Sequence, residues 1–436
     1  MVHRKNSNTL RLRVSIGAGI LFALVGSDVW PQALLPSPAG GQGNVASTPF
    51  GLKAMFDAAW LRQPEARSLA ARTDAATARR EAVNSWTPEP AALELSTKAD
   101  GPGRNQGGRE FAAGIAIALW LPNERARSGA LADAESLGVG ARHAVAKLRT
   151  AAAVREAFWA WERARIELAL ARDRLAAAQT LALDVTRRVT AGNLARADQH
   201  QADGSVAAAL GAEAESQSVL IAATQQVLAL TGSLPLRVSA NEVRVETVPA
   251  APPDFSHLDA SHPLIADSIA RSEVARRTVE LTRTRTRANP ELTLTTARER
   301  SAASDAYQQT VMLGVRLPFG SDSRQRAKLA AASADAVEVE SELTLARERV
   351  LADIEAARQR VASARVQADA AQQRARLARE TTGFFEKSFR MGESDLPTRL
   401  RVELESAEAD RQAVRARINH AVSVSALRQA LGLFPE

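Results

Sequence analysis

The sequence predicts a mainly helical chain with some β structure, built as a tandem repeat of long antiparallel helices and two β-hairpins. Three observations carry that prediction. Residues 124–190 contain no proline and keep an apolar period of three and four residues, far beyond the length of an ordinary helix. Two short stretches alternate apolar and polar residues and then meet Leu-Pro: Ile115–Arg127 (IAIALWLPNERAR) and Thr310–Arg326 (TVMLGVRLPFGSDSRQR). Finally, Gly392 follows Gly192, and Gly432 follows Gly232, by the same 200 residues. Unrelated turns would not share an offset.

Composition agrees with extended helices: aromatic residues make up 4% of 436, with one Tyr, while Ala, Arg and Glu fill long tracts. The absence of cysteine removes disulfides and thiolate metal sites. At the N-terminus, Arg4, Lys5, Arg11 and Arg13 precede the apolar run Val14–Val25, too short to span a membrane and suited to a secretory signal. Residues 1–33 are expected to be that signal peptide, with Ser27 and Ala33 as candidate cleavage positions. Without them the formal charge of +7 falls to about +4, because the segment carries four Lys or Arg and one Asp. The remaining charges are interspersed along helices, with no basic stripe among aromatics, so no nucleic-acid partner is expected.

Residues 34–50, rich in Pro, Gly and Ser, form a flexible segment. The first repeat is expected over residues 51–235. It opens with a short helix, Leu52–Trp60, and a second, Glu65–Ser85, started by Pro64. Ala92–Ala99 and Glu110–Leu121 alternate around the Gly-rich turn 100–109 and read as a hairpin. From Glu124 a seam through Leu148, Ala151, Val154, Phe158, Trp161, Leu168 and Val185 marks a single helix about 100 Å long. Arg165 interrupts that seam. Gly192-Asn193 turns the chain, Ala195–Leu230 returns, and Gly232 to Pro235 stop it.

Residues 236–261 are a connector, with a strand-like stretch SANEVRVETV and a proline cluster. The second repeat, 262–436, repeats the order. His262-Pro263 opens a helix to about Arg287, and Asn289-Pro290 ends it. Glu291–Ala297 and Gln309–Leu317 form a hairpin around a loop at 298–305. A long helix runs from about Arg324 to Phe389, and the chain turns at Met391-Gly392-Glu393. Neither long helix can be matched by its return partner of roughly half the length. The short helix of each repeat is therefore expected to stack end to end with that partner.

Four strands cannot close a transmembrane barrel, whose minimum is about eight. An open edge cannot sit in lipid with unsatisfied backbone groups. Hairpins in a membrane would need several chains to contribute.

In order and spacing, residues 52–435 resemble the TolC-type outer-membrane efflux proteins, and Ala197–Ala209 (ADQHQADGSVAAA) with WLPNERAR is similar to the CzcC-like branch. The resemblance implies a TolC-like fold in a homotrimer: a shared barrel in outer-membrane lipid, continuous with a periplasmic helical tunnel. It implies a periplasmic adaptor and an inner-membrane pump of RND type as partners, and a passive duct, with heavy-metal cations as a candidate cargo. On that basis Gly192, Asn193, Leu194, Gly392, Glu393 and Ser394 would form the adaptor-docking tips. Leu121, Pro122, Leu317 and Pro318 would mark the junction of barrel and tunnel. A well-studied channel of the family has acidic gate residues six and nine positions after the second glycine. Here those positions are Thr398 and Arg401, with Asp198 the first-repeat counterpart of Thr398. An acidic ring therefore does not transfer. Phe111, Trp120 and Phe319 stand near strand ends, where a barrel places aromatics.

No cofactor is expected, and the six His are dispersed without i,i+4 pairs. Phosphate-loop, nucleophile-elbow and zincin motifs are missing from the sequence, which argues against an enzyme. Two other readings stay open: a soluble periplasmic helical scaffold or adaptor, and an outer-membrane duct for secreted protein.

Overall fold

The computed structural model describes residues 51–100, 106–233, 246–249, 261–320 and 322–436. The expected signal peptide, the segment 34–50, half of the turn 100–109 and nearly all of the connector lie outside these residues. Of the strand-like stretch in the connector, only Glu246–Val248 is described, and it is not a strand.

Helices α1 (Leu52–Arg62) and α2 (Pro64–Asn84) come first, with Pro64 at the start of α2, where its missing N–H costs nothing. Strands β1 (Ala92–Ala99) and β2 (Arg109–Ala118) follow, then α3 (Glu124–Thr190) and α4 (Arg196–Thr231). The second half runs α5 (Pro263–Thr284), β3 (Glu291–Arg300), β4 (Gln308–Arg316), α6 (Asp322–Met391) and α7 (Leu396–Ala430). The two long helices have 67 and 70 residues, as their proline-free Ala/Leu/Arg/Glu composition favours.

Two strand ends differ by three residues from the sequence reading. β2 stops at Ala118 rather than Leu121: Leu119 N–H still donates in register to Pro290 O at 2.7 Å, but Pro290 has no N–H to return the bond. β3 continues through residues 298–300, expected as loop, because Arg298 and Arg300 stay in register with Phe111 and Arg109.

The four strands form one antiparallel sheet in the order β1-β2-β3-β4. The second hairpin is thereby paired to the first through β2 and β3. β1 and β4 are the edges.

Gly192 and Gly392 take the left-handed conformation, at φ 78° and 81°, as helix-ending turns require. Both turns close in the same way. Asn193 N–H donates to Arg188 O at 2.8 Å, and Glu393 N–H to Ser388 O at 2.9 Å. At the other end of α7, Gly432 abuts the start of α5: a Cβ there would lie 2.7 Å from Pro263 Cδ. The return helix and the short helix do stack end to end, and the long helix packs along both.

The principal core lies where these ends meet. Met55 and Phe56 of α1, Val154, Phe158 and Trp161 of α3, Val227 of α4 and Ile418 of α7 pack together. Burying each such large side chain stabilises by about 1.5–3 kcal/mol. A buried ionic network pins the connector beside this core. Glu246 is bonded by Arg155 at 2.9 Å and approached by Arg428 at 3.3 Å, and all three side chains are buried. Arg165, the polar residue in the seam, pairs with Glu162 at 2.6 Å one turn back.

Candidate channel elements: sheet, junction and tips

Alternation sorts the sheet into two chemically different faces. One carries Leu93 and Leu95, Phe111 and Ile115, Leu294, and Val311, Leu313 and Val315, all exposed. They lie in cross-strand rows such as Leu93–Ile115–Leu294–Leu313. The other carries Ser96, Ala112, Gly114, Thr293, Thr295 and Thr310, small or polar, with Met312 as its one large apolar side chain among the described residues. An apolar face this broad is not left to water by a soluble protein. Among the described residues, no helix is long and apolar enough to cross a membrane.

At the end of β2 the chain enters α3 through a tight corner. Asn123 has φ 63°, which Asn tolerates better than most residues. The carboxylate of Glu124 is fully buried and accepts from Leu121 N–H at 3.0 Å, Asn289 Nδ2 at 2.7 Å and Arg285 Nε at 2.6 Å. Asn289 also donates to Leu119 O at 3.1 Å. One buried carboxylate therefore ties the exit of the first hairpin to the segment leading into the second. Leu121, beside it, is 4% exposed, whereas Leu317 at the matching corner is 52% exposed, and Pro318 is half-buried. The two Leu-Pro corners are not equivalent in the single chain. Trp120 donates to Ser85 O at 3.4 Å, and Phe111 and Phe319 stand exposed.

At the far end, the turns at Gly192-Asn193 and Gly392-Glu393 are brought together. Leu181, Val185, Ala202, Phe389, Leu396 and Leu400 form a small core across the two halves, with Leu194 packed against it. The buried Phe389 ring lies between two guanidinium groups, Arg188 at 4.7 Å and Arg399 at 4.9 Å. Arg188 also donates to Phe389 O at 3.3 Å. Asn193, Glu393 and both glycines are exposed, and the hydroxyl oxygen of Ser394 is buried without a partner among the described residues.

The three gate candidates have local partners. Asp198 accepts from Ala195 N–H at 3.0 Å, so its carboxylate caps α4. Thr398 N–H donates to Asp395 at 3.1 Å; hydrogen bonding by Thr398, from its side chain first and its N–H second, holds the Asp395 carboxyl below its ordinary range, with the Arg401 charge adding a little. Arg401 is exposed and lies 3.9 Å from Glu405, while Glu403 is taken by Arg399 at 2.9 Å.

Sequence reasoning missed Glu124, Arg285 and Asn289, the Phe389 clamp, and the Arg155–Glu246–Arg428 network. Glu124 had a signal: it stands three residues after Leu121, the spacing at which a carboxylate reaches back to a backbone N–H. Apart from Arg399, ten positions from Phe389, the others join residues more than 90 positions apart and leave no local trace.

No family model matches the chain, and no curated protein does. Solved structures do. CusC, described in terms of transmembrane channel formation, is 16% identical, with a TM-score of 0.74 over 88% of this chain and 92% of its own. The open-state MtrE outer membrane channel of Neisseria gonorrhoeae is 17% identical, with a TM-score of 0.70 over 88% and 89%. The outer membrane protein VceC of Vibrio cholerae is 16% identical, with a TM-score of 0.69 over 88% and 97%. The chain has the TolC-type fold of these outer-membrane channels.

Proposed function

We propose that the protein is the outer-membrane exit duct of a tripartite efflux system. Three chains contribute four strands each to one barrel, and their long helices form a periplasmic tunnel. The duct is passive: a periplasmic adaptor and an inner-membrane pump of RND class load it, and the pump selects the cargo. The observation that carries this reading is the sheet, apolar and exposed on one face and open at both edges. Lipid tolerates no open edge, so strands from neighbouring chains must complete it.

The rest of the chain then has an assignment. Residues 1–33 direct export, 51–235 and 262–436 are the two repeats, and 236–261 is the connector between them, assigned to the equatorial region. Leu121-Pro122 and Leu317-Pro318 lie where barrel becomes tunnel. Gly192, Asn193, Leu194, Gly392, Glu393 and Ser394 meet the adaptor, and Arg401, in three copies, lines the tunnel end near Asp198 and Thr398.

Fractionation and planar-bilayer recording test the proposal together. A heat-dissociable trimer in the outer-membrane fraction that conducts ions supports it; a soluble periplasmic pool without conductance contradicts it.

A further inference from the structure

The loop end of the sheet separates its charges by face. Arg109 of β2 stands directly opposite Arg300 of β3, and Arg298 is two residues before Arg300 on the same face. That face is the apolar one, with Phe111 paired to Arg298. Glu110 and Glu299, also opposite each other, occupy the other face, where Lys98 approaches Glu110 at 3.9 Å.

Like charges directly opposed across a ladder destabilise it. Among the described residues, no carboxylate forms an ion pair with Arg109, Arg298 or Arg300. The nearby Asp100 carboxylate already accepts from the N–H groups of Gln106 and Gly108, at 3.0 and 2.8 Å. Two of the guanidinium groups are nonetheless held in place. Arg298 and Arg300 lie 4.9 and 5.1 Å from the ring centre of Tyr307, the chain's one tyrosine, and Arg300 Nε donates to Gly107 O at 3.0 Å. Forks ordered this way and lacking an anion suit phosphate, which they bind in parallel pairs of hydrogen bonds.

We infer that Arg109, together with Arg298 and Arg300 ordered by Tyr307, binds the headgroup phosphates of an anionic glycolipid in the outer leaflet. This rests on the outer-membrane reading. The apolar rows below the arginines favour a lipid over a free anion. Acyl chains attached to a bound phosphate would run down Leu294, Val311 and Leu313 on the same face. The polar tip and apolar body of Tyr307 suit the same boundary.

The test uses the full-length protein in detergent and two lipid A-type glycolipids with identical acyl chains, one bis-phosphorylated and one dephosphorylated. Retained lipid is counted by native mass spectrometry. The phosphorylated form is retained at least tenfold more, and each arginine removed (Arg109→Gln, Arg298→Gln, Arg300→Gln) lowers its retention about fivefold. Arg79→Gln, a distant surface change, leaves retention unaltered. Equal retention of the two lipids, or displacement by millimolar inorganic phosphate, overturns the inference. Carbonate extraction of membranes from the same cells separates the two proposals. Protein that resists extraction yet shows no phosphate preference removes only the lipid site, and protein that washes out removes both.

Discussion

Asn289 donates its side-chain amide to the buried carboxylate of Glu124 at 2.7 Å and to the carbonyl of Leu119 at 3.1 Å, so the end of one hairpin is bonded to the start of the other. Leu119 N–H returns a bond to Pro290 O at 2.7 Å. This knot holds β2 beside β3 at the root of the sheet. Glu124→Ala leaves Leu121 N–H and Asn289 with unmet donors and frees the Arg285 charge, which is half exposed and can turn to water. The expected loss is about 2–3 kcal/mol, read as a lower dissociation temperature of the assembled protein. Arg79→Gln, which breaks a surface pair, should stay within about 0.5 kcal/mol of the parent.

The Arg155–Glu246–Arg428 network predicts a larger loss. Glu246→Gln leaves the buried Arg155 guanidinium without its counter-charge, while Arg428 keeps Glu436, at a cost of about 3–5 kcal/mol. Replacing all three with apolar residues of similar volume should cost less than that single change, because it removes the desolvation of all three charges. Chemical denaturation of the single and triple variants checks the order.

His262 predicts a pH dependence. Its ring is buried; Nε2 is 3.1 Å from Ala430 O and donates to it, while Nδ1 has no partner among the described residues. Burial lowers its pKa below the ordinary 6.5, outweighing the Ala430 bond, which acts the other way. The unfolded chain then binds the proton more readily than the folded one. Stability from this group is full above about pH 6.5 and falls as the pH drops from there toward the lowered folded pKa. Thermal scans at pH 5 and pH 7.5 should show a smaller difference for His262→Gln than for the parent.

At the tips, Phe389 joins the two halves. Phe389→Ala removes a buried ring, for about 3–5 kcal/mol of local packing, and both guanidinium contacts with it. Phe389→Leu keeps most of the packing and loses the two cation–ring contacts, at about 0.5–1 kcal/mol each. Single-channel recordings should show the tunnel end open more often in the order parent, Leu, Ala.

Arg401 is exposed, and its partner Glu405 is distant at 3.9 Å. In the proposed trimer, three copies near the pore favour anions locally. Arg401→Asp should shift the reversal potential in a salt gradient toward cation selectivity. An unchanged potential removes Arg401 from the conducting path.

Much of the fold was legible in the residues because its signals are local. Proline-free helical tracts, alternating strands and turn glycines each act within a few positions, and β1 was read at its full extent. β3 was read three residues short because Arg298 and Arg300 look like loop chemistry until β2 supplies the ladder. Asp198 could be placed near a turn, but its bond to Ala195 N–H is geometry that spacing alone left open. The Glu124 knot and the Phe389 clamp draw on residues far apart in sequence, which become neighbours only after the helices pack.

In the proposed trimer, β1 and β4 of different chains meet to close one barrel. Ser96 on β1 and Thr310 on β4 lie in the same cross-strand row, linked through Ala112 and Ala297. Three strand spacings separate them within one chain, about 14 Å. The chain has no cysteine, so Ser96→Cys with Thr310→Cys provides two unique thiols. Treatment of intact outer membranes with a bis-maleimide spanning about 8 Å is too short to bridge that intrachain gap. Cross-linked dimers and trimers are expected, with the ladder ending at three chains. Thiols that react fully yet leave only single chains would contradict the shared barrel.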